Sequence, residues 1–113
     1  MTLTREPIPP GTLEMLILQT LGCFPSLHGF EIAEAIATRS REVFEVEEGS
    51  LYPALQRLLA QGYIEGEWGR TDGNRRARYY RITVSGRKKL QAEVVRYQRV
   101  AGAISLILQA KEA

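Results

Sequence analysis

Two residue types that commonly carry catalysis or hold metal occur once each in this chain, as His28 and Cys23. No cysteine, aspartate or second histidine stands at metal-ligand spacing from His28. A histidine followed by glycine at a helix entrance reads as a cap or packing residue. Cys23 closes an apolar run and reads as a small buried hydrophobe; a single cysteine also excludes an internal disulfide. The serines lack a G-x-S-x-G setting. Glu47 and Glu48 are adjacent, so they do not face one another on a helix. No glycine loop of the Walker or dinucleotide kind is present. The sequence therefore predicts no catalytic residue, no metal site and no cofactor.

The chemistry it does offer is charge and hydrogen bonding. Ser50, Tyr52, Pro53, Gln56 and Arg57 lie in the stretch Glu48–Leu59, whose leucines recur on one helical face. An α-helix fits the major groove of B-DNA, and side chains near its N-terminus meet base edges. Ser50 and Tyr52 are placed for phosphate or base, Gln56 for an adenine edge, Arg57 for a phosphate or guanine. Ser50 reads equally as an N-cap, and Tyr52 as packing on the preceding loop. A second group, Arg70, Asn74, Arg75, Arg76 and Arg78, could take backbone phosphates or enter a minor groove.

Charge patterning supports an anionic partner. The chain of 113 residues carries only +2 overall. From Glu31 to Glu48, however, six glutamates oppose two arginines, a balance of −4. From Arg70 to Lys89, eight basic residues oppose Asp72, a balance of +7. Segregated charge of this kind argues for an anionic partner more strongly than the net figure does, and with the helix and loop above the expected partner is double-stranded DNA. No apolar run approaches the ~18 residues of a membrane span, and no signal-peptide succession opens the chain. A cytoplasmic location and no membrane partner are expected.

The elements that must position these residues follow from periodicity. Residues 1–10, with Pro7, Pro9 and Pro10, are expected to form a flexible arm. Leu13, Leu16, Ile17 and Leu21 predict a short buried helix ended by Gly22. A second helix is predicted from about His28 to Thr38, with Ile32, Ala33 and Ile36 inward and Gly29 at a tight approach. Val43, Phe44 and Val46 suggest an extended piece pinned to the core. The third helix is predicted from about Ser50 to Ala60, capped by Gly62, with Pro53 in its first turn.

Tyr63–Trp68 and Ala77–Thr83 read as strands, with Ile64 and Trp68 on one face of the first and Tyr80 and Ile82 on one face of the second. A mobile hairpin loop, Gly69–Arg76, joins them. Three helices and a hairpin define a mainly α fold with a β-hairpin wing, a winged helix-turn-helix over 11–83. A long helix is predicted over 84–111, with Thr83 as its N-cap. On it Leu90, Val94, Tyr97, Ala101, Ile104 and Leu108 follow 4-3-4-3-4 spacing. So small a body cannot cover so long a stripe, and the expected partner is the same helix of a second copy.

Taken in order, the segments GTLEMLIL (11–18), HGFEI (28–32), EGSLYPAL (48–55), RARYYRIT (76–83) and Gly86 form a specific set. Over roughly residues 11 to 100 the chain resembles the PadR family of transcriptional regulators, in particular short members with a single C-terminal helix. The resemblance implies a homodimer, usually a repressor of detoxification, efflux or transport genes at inverted-repeat operators. It implies reading positions at Ser50, Tyr52 and Pro53 and a wing over Asn74–Tyr79. Some members are relieved by small aromatic or drug-like ligands near the dimer interface. Phe30 stands where the family usually has tyrosine, and Tyr97 where short members often have tryptophan. The alternative from a different class is a winged-helix protein-interaction module without specific DNA binding.

Overall fold

A computed structural model describes residues 5–110. Four helices and a three-stranded sheet follow in the order α1 (Leu13–Cys23), β1 (Leu27–His28), α2 (Gly29–Arg39), α3 (Glu48–Ala60), β2 (Ile64–Arg70), β3 (Arg76–Ile82) and α4 (Val84–Gln109). The sheet order is β1-β3-β2, with both pairings antiparallel. The architecture is the expected winged helix with a long C-terminal helix. The core sits where α1, α2 and α3 meet the base of the hairpin. Ile17, Leu18 and Leu21, Ile32 and Ile36, Leu51, Ala54, Leu55 and Leu58, and Ile64 and Tyr80 fill it.

Local chemistry sets the element boundaries. His28 caps α2: its Nδ1 accepts from the Glu31 amide at 3.4 Å, while Glu31 Oε1 accepts from the His28 amide at 3.1 Å. Two otherwise unpaired donors are thus satisfied reciprocally. α3 ends in a Schellman arrangement. Gly62 lies at φ +75°, its N–H donates to Leu59 O, and Tyr63 N–H donates to Leu58 O, both at 3.0 Å. Thr83 caps α4 by accepting from Gly86 N–H at 3.0 Å.

Several expectations need correction. α3 starts at Glu48, with Glu47 as N-cap, so Ser50 is not the cap residue. Pro53 consequently lies inside the helix rather than in its first turn. Gly22 does not end α1; it lies within the helix, close beneath Leu90 of α4. Cys23 is exposed, its sulfur accepting from the Arg39 guanidinium at 3.1 Å. β1 has only two residues, too few for periodicity to reveal. From Arg5 onward the N-terminal stretch lies along the α2–α3 connection. Glu6 N–H donates to Val43 O at 2.7 Å, Arg5 pairs with Glu42 at 3.0 Å, and Ile8 packs on the core. The part of the expected arm over 1–4, and Lys111 at the expected end of α4, lie outside the described residues.

Only the N-terminal half of α4 is held by its own chain. Leu90 packs on the core, and Gly86 is buried against the end of β3. Beyond Val94 the helix leaves the body with Val95, Tyr97, Val100, Ile104, Leu106, Ile107 and Leu108 all at least half exposed.

Candidate nucleic-acid interface

α3 presents a buried stripe and an outward ridge. Leu51, Ala54, Leu55 and Leu58 are buried, while Gly49, Tyr52, Pro53 and Gln56 are exposed on other sides. A Cβ at Gly49 would meet nothing within 4 Å, so the helix N-terminus is smooth and open. Tyr52 leans toward α2, where its ring and hydroxyl lie 3.2–3.4 Å from the position a Gly29 Cβ would take. That contact is the tight approach expected at Gly29.

The hairpin supplies the facing wall. Ile64 pairs with Ile82, Gly66 with Tyr80, Trp68 with Arg78 and Arg70 with Arg76, so these residues share one face of the sheet. At the base this face is core, with Ile64 and Tyr80 buried. Toward the tip, the same face leaves the core and becomes cationic. Glu65 and Glu67 lie on the opposite face, where Glu65 accepts from Arg81 at 2.9 Å. The wing is therefore basic on one side only. Arg70 directly opposite Arg76 is a like-charge pair, unfavourable within the chain alone; an anion between them would reverse the sign.

Two arginines on this face are held in place. Arg78 lies flat across Gly66: a Cβ there would fall 2.5 Å from Arg78 Nε, so only glycine admits this path. Its Nε is buried without a partner. Arg76 stacks on Trp68, its guanidinium carbon 4.4 Å from the ring centroid. The Tyr80 hydroxyl is pushed up from its ordinary 10.0 by burial, against the opposing pull of Arg78 and with a smaller push from Tyr52. Tyr80 thus stays neutral under Arg78, whose charge is left for another group.

The tip is a short closed loop. Asn74 N–H donates to Thr71 O and Thr71 N–H to Arg75 O, each at 2.8 Å. Asn74 sits at φ +59°, a left-handed position that asparagine tolerates well. Arg70 donates to Asn74 O at 3.3 Å. The strands extend further than expected, into Arg70 and from Arg76.

Between helix and wing runs one cleft of about 480 Å³, lined by Tyr52 and Gln56 on one side and Trp68, Arg75, Arg76 and Arg78 on the other, with Phe30 at the entrance of α2. No acidic residue lines it. Five of the expected residues, Ser50, Pro53, Arg57, Arg70 and Asn74, do not line it. Ser50 faces the Pro7–Gly11 stretch, and Arg57 pairs across with Glu14 of α1 at 3.5 Å. Trp68 and Phe30 were not among the expected site residues. For Trp68 a signal existed: an indole on the strand face that carries arginines on its neighbour, beyond the reach of so small a core.

An arginine-lined, acid-free cleft between the third helix and the hairpin of a winged helix fits the class of DNA-binding regulators. The chain belongs to the transcriptional regulator PadR-like family, whose model matches residues 17–92. It is thus a DNA-binding transcriptional regulator, of a family that is not enzymatic. It is 30% identical to an uncharacterised protein of Lysinibacillus sphaericus over 110 residues, covering 97% of this chain and 100% of the other. The structure of a transcriptional regulator from Clostridium thermocellum is similar with a TM-score of 0.79 and 28% identity, over 88% of this chain and 95% of that one. A PadR family transcriptional regulator from Eggerthella lenta gives 0.75 and 26%, over 89% and 85%. No helix among the described residues is long and apolar enough to cross a membrane.

Proposed function

We propose that the protein is a cytoplasmic homodimeric repressor that reads an inverted-repeat operator and blocks the promoter by occupying it. The observation that carries this reading is the acid-free cleft joining Tyr52 and Gln56 of α3 to Arg75, Arg76 and Arg78 of the wing. Tyr52, Pro53 and Gln56 enter the major groove, with Ser50 and Arg57 on the far flank of the same helix toward the opposite strand. Arg70, Asn74, Arg75, Arg76 and Arg78 hold the backbone. Arg57 exchanges its exposed pair with Glu14 for a phosphate, a small loss since such pairs contribute little.

Self-association runs through the free half of α4. Val94, Tyr97, Ala101, Ile104 and Leu108 form the seam with a second copy, and Val100 and Ile107 broaden it. Leu90, at the start of the seam, anchors the helix to its own body and so transmits the dimer geometry to the reading helix. An aromatic or drug-like ligand seated beside Tyr97 would change the separation of the two reading helices and release the operator. DNase footprinting on the region upstream of the protein's own gene tests the reading. Two protected half-sites about one helical turn apart, or a multiple of it, are expected. A single protected half-site, or none, contradicts it.

A further inference from the structure

We infer that Trp68 is an additional DNA-contact residue: its indole packs on a deoxyribose of the strand whose phosphate Arg76 grips. The inference rests on the functional reading above and adds a residue to it. Trp68 lies on the cationic face of the hairpin, paired with Arg78 and diagonal to Arg76. It is 58% exposed, although it shares a strand face with Ile64 at 2%. The core does not use the ring, yet the ring stays on the one sheet face that points at the reading helix.

Its stack with Arg76 gives the position a physical role. A free arginine side chain loses rotamer freedom when it binds a phosphate; one already lying on an indole has lost much of it beforehand. The stacked guanidinium keeps its N–H edge for a phosphate, while the remaining indole surface still faces solvent. Deoxyribose offers the apolar surface next to the phosphate that could cover it. A stacked arginine is also folded down on the wing, not extended, which suits a backbone contact rather than insertion into a minor groove. Arg75, at the tip and outside the stack, is the residue free to extend. The cleft continues from Gln56 to Trp68 without an acidic side chain, so a strand bordering the groove read by α3 passes over both.

Trp68 is the only tryptophan in the sequence, so fluorescence excited selectively at the indole reports on this site alone. Acrylamide quenching should fall when a random-sequence duplex is added to the wild-type protein at low salt. Trp68→Ala should weaken binding about fivefold, equally on promoter and random duplex, with the thermal midpoint unchanged. Trp68→Phe should recover most of that loss. Wild-type protein that binds duplex with undiminished quenching, or Trp68→Ala binding as tightly as wild type, overturns the inference and leaves the functional reading standing. Wild-type protein that binds no duplex at any salt concentration overturns both.

Discussion

Pro53 is a residue kept against the interest of its own helix. It lies six residues into α3, counting from Glu48, where it cannot donate to the carbonyl of Gly49 and where its ring crowds that carbonyl. Nothing in the fold requires it: the side chain is exposed on the outward ridge beside an open Gly49. Local rules broken without intramolecular gain tend to mark functional positions. Pro53→Ala is therefore expected to stabilise the fold by about 1–3 kcal/mol, read as a higher denaturant midpoint, and to reduce preference for the operator over random duplex. Unchanged preference would mean that the ring serves neither stability nor recognition. Arg78 presents the converse case. Its path over Gly66 leaves Nε buried without a hydrogen-bond partner among the described residues, a desolvation cost that brings no hydrogen bond within the fold.

At the scale of elements, two junctions set how far the parts can move. The first joins α4 to the body. A Cβ at Gly86 would stand 2.0 Å from the Tyr63 carbonyl oxygen, and Ser85 and Thr83 both donate to Gly62 O. Gly86→Ala should destabilise the protein by about 2–3 kcal/mol in chemical denaturation; a loss within error would show that this junction yields easily. The second is the wing. Replacing Arg75 and Arg76 together with alanine should weaken DNA binding on every sequence. The slope of log affinity against log salt should flatten by about two if each arginine holds one phosphate. An unchanged slope would assign the wing to some partner other than DNA.

Much of this layout was legible because the helices carry their own punctuation. Thr83, Gly62 and His28 cap where their chemistry predicts, and the leucine stripe of α3 is the buried one. Other features depend on contacts that no local pattern encodes. Two-residue β1 exists only because Tyr79 and Tyr80 offer it an edge. Cys23 ends an apolar helix but falls on the outer side of it. Ser50 resembles a cap, which puts the expected start of α3 two residues after the observed one at Glu48. That offset places Pro53 in the first turn and conceals its cost. The cleft itself was half legible: the residue types of both walls were in view, but that Ser50 and Arg57 turn away while Trp68 turns in follows from register and helical phase.

The whole molecule is elongated, 62 × 38 × 22 Å, because α4 runs out beyond the compact winged helix. Tyr97, Val100, Ile104, Ile107 and Leu108 form a strip of half-exposed or more exposed apolar side chains on the free half of α4, the kind of surface that marks an interaction site. Ile104→Glu should place unpaired charge on that strip in both copies and weaken self-association about a hundredfold or more. An intact dimer of the variant in analytical ultracentrifugation would move the interface elsewhere. Loss of the dimer should also lower operator affinity, since each reading helix would then bind alone. Repression by occupancy depends on specific recognition by the paired helices. Its most direct test is the affinity of the wild-type protein for duplex DNA from its own promoter region against random duplex at physiological salt. Binding to the promoter tighter by a factor of about a thousand or more is the predicted result. Equal affinity for the two, from protein confirmed to be dimeric, would contradict it.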